Sequence, residues 1–155
     1  EHDCLETHDR QEVPPDALHT LAPGTWLNDK AVYFVLLLIA SAVPKTFTVI
    51  DPILSKPESG CSIATHSHLT VLAPINLSNN HWALVVIYGD EKRADVYDSM
   101  TNPDNTEWIH LSVKGLIPRL FPTAVSSDWK ITNQPTPSQP NFDDCGVIVL
   151  IIALY

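Results

Sequence analysis

The chain has 155 residues, 45% of them hydrophobic and 17% charged, which suits one globular domain and excludes a disordered, charge-rich tail. It carries 9 Lys and Arg against 18 Asp and Glu, for a formal net charge of -9. That balance argues against gripping nucleic acid or an anionic membrane through bulk charge, and it fits a partner with a basic patch.

Three cysteines, Cys4, Cys61 and Cys145, are too few and odd in number for a disulfide framework, so a reducing setting (nucleus or cytoplasm) is expected. The chain opens at Glu1 and its only Met is Met100, so a trimmed or processed piece is expected. The longest apolar stretches, Ala31 to Ala40 and Val147 to Tyr155, fall short of the roughly 18 residues a membrane span needs.

Residues 1–16 are polar and read as an extended lead-in, and 17–155 as one domain, cut short at its C-terminus. His2, Cys4 and His8 are metal-capable, but a polar terminus is the preferred reading. Asp16 to Leu21 predicts a short helical turn that Pro23-Gly24 breaks. Asn28 is placed as an N-cap, with Asp29 in the first turn of a helix running to about Ala42. That helix is apolar almost all round and is expected to be buried.

Thr46 to Ile50 predicts a short strand, and Asp51 to His68 a polar loop. Cys61, His66 and His68 fall in it without a fourth ligand, so no zinc site is expected. Leu69 to Ile75 predicts a strand, and Asn76 to Asn80 a turn. His81 to Tyr88 is the clearest strand, apolar on both faces and therefore central. A turn over Gly89 to Lys92 leads to a strand over Arg93 to Asp98. Asn105 to Leu120 predicts a helix that ends before Pro122, and Trp129 to Thr132 a short strand. Pro135 to Pro140 predicts a loop. A buried helix is expected from Cys145 onward.

The chemistry concentrates where these elements end. His81 opens a central strand, where histidine has no packing advantage. Asp98 closes the next strand on the face shared with Ala94 and Val96, and a carboxylate there needs a partner. If the two strands are antiparallel neighbours, both groups lie at one edge of the sheet. An Asp beside an imidazole fixes its tautomer and stabilises its cation.

Cys145, in Asp143-Asp144-Cys145-Gly146, stands at a predicted helix start, where the dipole favours a thiolate. A lone cysteine reads as buried and inert. Beside a His–Asp pair it reads as a nucleophile, with His81 its base and Asp98 the orienter. Gly146 lets the backbone approach closely. Acyl transfer also needs oxyanion donors, and the Cys145 N–H and the Gln139 side-chain amide are the candidates.

Trp26-Leu27-Asn28-Asp29, His81-Trp82, Tyr97-Asp98-Ser99 and Gln139-Pro140-Asn141-Phe142-Asp143-Asp144-Cys145-Gly146 occur in this order. Together they resemble the Ulp/SENP family of ubiquitin-like-protein cysteine proteases, over roughly Leu18 to Tyr155. The resemblance implies a papain-like α+β fold with a central, mostly antiparallel sheet flanked by helices. It implies a triad of His81, Asp98 and Cys145 with Gln139 in the oxyanion hole, and no metal or cofactor. It also implies that Trp26 and Trp82 flank a narrow channel for a Gly-Gly tail, a task two indoles can perform by excluding any side chain. Asp29 matches the position that meets a basic residue on the modifier.

The implied partner is a ubiquitin-like modifier, SUMO first among them, with its conjugates. The implied reaction is deconjugation or precursor processing by a monomer. The segment from Lys45 to Ile75 departs from the family pattern, which leaves the choice of modifier open. Two rival readings remain: a catalytically silent module that binds a ubiquitin-like protein, and a YopJ-like acetyltransferase, for which the tryptophans would have no purpose. A metal-dependent hydrolase fits least, because the candidate ligands are scattered.

Overall fold

A computed structural model describes residues 12–43, 47–56, 63, 70–123 and 128–155. His2, Cys4, His8, Cys61, His66 and His68 lie outside the described residues. Among the described residues, four helices, α1 (Pro15–His19), α2 (Asp29–Ala42), α3 (Pro103–Leu120) and α4 (Cys145–Leu154), accompany five strands. The strands are β1 (Phe47–Val49), β2 (Thr70–Leu77), β3 (His81–Tyr88), β4 (Arg93–Tyr97) and β5 (Lys130–Asn133).

The strands form one sheet in chain order, β1-β2-β3-β4-β5. The β2–β3 and β3–β4 pairs are antiparallel, whereas β1–β2 and β4–β5 are parallel. The sheet is therefore mixed: its long central pairings are antiparallel and its short outer ones parallel.

β3 is buried on both faces, as its sequence requires. Ala83, Val85 and Ile87 join a core cluster with Ile109, Val113, Leu116, Ile117 and Leu120 of α3. Trp82, Leu84 and Val86 join a second cluster with Leu36 and Ile39 of α2 and Val149 of α4. Helices thus cover both sides of the strand that begins at His81.

Local chemistry explains where the elements start. Asn28 caps α2 by accepting from the Ala31 N–H at 2.9 Å, with Asp29 next in line. Asn102 caps α3 in the same way through the Asn105 N–H at 2.9 Å, followed by Pro103 at the first turn. Asp144 precedes α4 but does not cap it, since its Oδ2 accepts from the Asn141 carboxamide at 2.7 Å.

Three expectations need correction. α2 is not buried all round: Ala31, Val32, Leu36 and Ile39 are, while Leu38 faces solvent, because the helix packs on one side only. α4 likewise buries Cys145, Gly146 and Val149 and exposes Val147, Ile151 and Leu154. β2 continues through Asn76 and Leu77, which pair with Trp82 and His81. The turn is left to Ser78 and Asn79 in left-handed conformation (φ 52 and 60). Pairing across the hairpin overrides the turn preference of Asn76.

Candidate active site

β3 and β4 deliver the first two groups. His81 is the first residue of β3, and Asp98 lies one position beyond the end of β4. The register sets Leu84 against Tyr97, so both groups emerge at the same edge of the sheet. His81 Nε2 donates to Asp98 Oδ1 at 2.6 Å, and the carboxylate, which can only accept, fixes that tautomer. The Met100 N–H also donates to Oδ1, at 2.9 Å, and holds the carboxylate in place. Both residues are buried, His81 at 4% and Asp98 at 6% exposure. Removing either partner would strand a buried polar group.

Burial works against a charged His81. The hydrogen bond His81 donates to Asp98, the interaction with the Cys145 side chain and the carboxylate's charge outweigh it, and the imidazole is pushed up to about 9. Its other nitrogen, Nδ1, is buried and completes no hydrogen bond among the described residues.

Cys145, a free thiol with 1% exposure, is the first residue of α4 and packs in the cluster that contains Trp82 and Leu27. Gly146 is needed at the next position, because a Cβ there would lie 3.0 Å from Leu27 Cβ. Leu27 therefore seats the start of α4, and its carbonyl accepts from Trp82 Nε1 at 2.8 Å. One residue ties α2, β3 and α4 together, a role the sequence reading did not assign.

Cys145 opens onto a cleft of about 270 Å³ whose lining includes Trp26, Asp29 and Trp82. Of the two tryptophans that line it, Trp26 is 42% exposed, whereas Trp82 is only 3% exposed. Trp82 is thus a core aromatic and a cleft-lining residue at once. Asp29 is half-buried in the first turn of α2.

Gln139 does not line this cleft. It borders a second depression, with Ser99, Met100 and Phe142. Its side chain is fixed at both ends: Oε1 accepts from Ser99 Oγ at 2.7 Å, and Nε2 donates to the Asn141 carbonyl at 2.7 Å. One amide N–H is left over. Its backbone N–H donates to the Ser99 carbonyl at 3.2 Å, so the loop before α4 is tied to the residue after Asp98.

Sequence reasoning missed Ile53, Lys56, Asn76 and Asn80, all of which line the cleft. The one available signal was Asp51, whose Oδ1 accepts from the Ile53 N–H at 2.9 Å and turns the chain toward the site. Among the described residues, no group of three or more His, Cys, Asp or Glu is placed to hold a metal.

Comparison with known proteins bears on this arrangement. Residues 66–155 match the Ulp1 protease family, C-terminal catalytic domain. Ubiquitin-like-specific protease 1 of Saccharomyces cerevisiae is 26% identical over 164 residues, covering 97% of this chain and 26% of that protein. The chain thus spans about a quarter of the length of that relative. A solved SUMO protease Ulp1, with its catalytic cysteine oxidised to a sulfonic acid, superposes with a TM-score of 0.75 at 25% identity, over 90% of this chain and 70% of that one. The C-terminal Ulp1 protease domain in complex with Smt3, the yeast ortholog of SUMO, superposes with a TM-score of 0.73 at 25% identity, over 90% of this chain and 69% of that one. With its mixed five-stranded sheet between helices, the chain belongs to the Ulp1 protease family of cysteine proteases and has the fold of that family's catalytic domain.

Proposed function

We propose that this domain is a thiol protease that cleaves after the C-terminal Gly-Gly of a ubiquitin-like modifier, SUMO first among them, in deconjugation or precursor processing. The observation that carries the reading is the buried His81–Asp98 pair, with the Cys145 thiol beside the imidazole at a cleft lined by Trp26 and Trp82. Membership of the family and the Smt3 complex of the related yeast domain support it.

In this mechanism the proton of Cys145 rests on His81 Nδ1, where the raised proton affinity of the imidazole holds it, and Sγ attacks the glycine carbonyl. Asp98 stabilises the imidazolium that results. His81 then hands that proton to the leaving amine as the C–N bond breaks. Water attacks the thioester, restores the thiol and releases the glycine carboxylate. The Cys145 N–H is one oxyanion donor, and the remaining Gln139 amide N–H, which borders the neighbouring depression, is assigned as the second from the family motif. A free thiol nucleophile suits the reducing nucleus or cytoplasm.

The test is labelling with modifiers whose Gly-Gly terminus carries an electrophile, followed by mass spectrometry. An adduct on Cys145 is expected. Folded protein that takes up no probe would sink the protease reading and favour a silent binding module.

Gln139→Ala is expected to lower kcat/KM by about 10²–10³, the effect of losing one oxyanion donor. Steady-state kinetics on a Gly-Gly coumarin amide measures it, and a rate near wild type would remove Gln139 from the mechanism.

A further inference from the structure

The cleft at Cys145 draws on two stretches of chain. One is Trp26 to Asp29, at the start of α2. The other is the turn after β1, which contributes Pro52, Ile53 and Lys56, together with Asn76 at the end of β2.

That turn is firmly built. The Asp51 carbonyl accepts from the Leu54 N–H at 2.8 Å and the Ser55 N–H at 3.3 Å. Arg119 of α3 reaches across and donates through Nη1 to the carbonyls of Leu54 at 2.8 Å and Lys56 at 3.4 Å. Pro52 and Ser55 are buried beneath it. The backbone of Lys56 is therefore held, while its side chain is only half-covered.

Lys56 is the one cation among the described residues that line the cleft, and Asp29 the one carboxylate. The ion pairs formed among the described residues do not include Lys56. Its charge is thus not cancelled by Asp29 or by any other described carboxylate, and it is available to an anion that enters the cleft. A single ammonium in a chain of net charge -9 is a poor phosphate or nucleic-acid site but a good reader of one carboxylate.

A second observation points to an extended occupant. Asn76 Oδ1 is buried against the cleft and accepts no hydrogen bond among the described residues. A backbone N–H of a tail lying along the cleft would satisfy it.

We infer that Lys56 is a specificity-determining residue that reads an acidic side chain of the modifier tail upstream of its two glycines. The inference rests on the protease reading above. The acidic residue must precede the glycines, because they carry no side chain and the channel between Trp26 and Trp82 is reserved for them. Lys56 would then favour a modifier whose tail carries an acidic residue before the glycines, over one whose tail is basic or neutral there.

The test uses coumarin-amide peptides that end in Gly-Gly, with Glu, Gln or Lys at each preceding position. At one position, Glu is expected to exceed Gln in kcat/KM by about fivefold at low salt, with the gap closing at high ionic strength. Lys56→Gln should abolish that preference and Lys56→Glu should turn it toward Lys, with circular dichroism unchanged. If Gly-Gly peptides are cleaved with no charge preference, or with one that survives Lys56→Gln, the inference falls and the protease reading stands. If no peptide is cleaved and no electrophilic probe modifies Cys145, the protease reading falls and takes the inference with it.

Discussion

Cys145→Ala protein will bind a Gly-Gly-terminated modifier and release no product from it. The expected loss in kcat is on the order of 10⁶-fold, the scale seen when a covalent nucleophile is removed. Binding should persist because Trp26, Asp29 and Trp82, which line the cleft, are left in place, and the substitution removes only one sulfur from a residue with 1% exposure. Gel-based cleavage of a modifier fusion and calorimetric titration of the same modifier measure the two properties separately. Turnover at the wild-type rate would exclude Cys145 as the nucleophile.

Asp98→Asn is expected to lower kcat/KM by about 10³-fold or more, by analogy with other triads whose orienting carboxylate is neutralised. The volume is kept and the Met100 N–H retains an oxygen partner, so the loss reports the charge and the tautomer that the carboxylate fixes. Without that charge, burial is left to act against the imidazolium, and the His81 pKa should fall from about 9.

The same substitution carries a stability signature whose sign is fixed by linkage. His81 binds its proton more tightly in the folded state, at about 9 against 6.5 unfolded. Its contribution to stability is therefore fully present below pH 6.5 and is lost as pH rises through about 9. Thermal midpoints of the wild type should decline across that window more steeply than those of Asp98→Asn. Parallel curves would show that the pair does not set the protonation of His81.

Much of this site was legible because its parts sit where elements begin and end. A histidine opening a doubly buried strand and an aspartate at the close of the next are both costly placements, and the structure joins them at 2.6 Å. The caps at Asn28 and the limits of β3 also followed from local chemistry. The covering of α2 and α4 did not. Apolar composition states what a helix tolerates, whereas burial depends on what lies against it, and Leu38 and Ile151 face outward. Lys56 was illegible for a related reason. Apart from Asp51 its turn reads as a polar loop, and the hold of Arg119 from α3 on the Leu54 and Lys56 carbonyls is a long-range contact that no local pattern announces. Gln139 drew attention through its motif alone; the clamp of Ser99 and Asn141 on its carboxamide depends on tertiary placement.

The site is also divided in a way that bears on when it becomes competent. His81 and Asp98 belong to one hairpin with a tight turn, a local structure that can form early from nearby residues. Cys145 arrives on a separate helix, α4, which buries Cys145, Gly146 and Val149, with Leu27 seated over Gly146. Partial opening of that helix would cost far less than global unfolding, and it would withdraw the sulfur while the sheet and its His–Asp pair stayed intact. The reactive sulfur and the pair that serves it thus sit on separately supported elements, and opening of α4 alone would disarm the site reversibly.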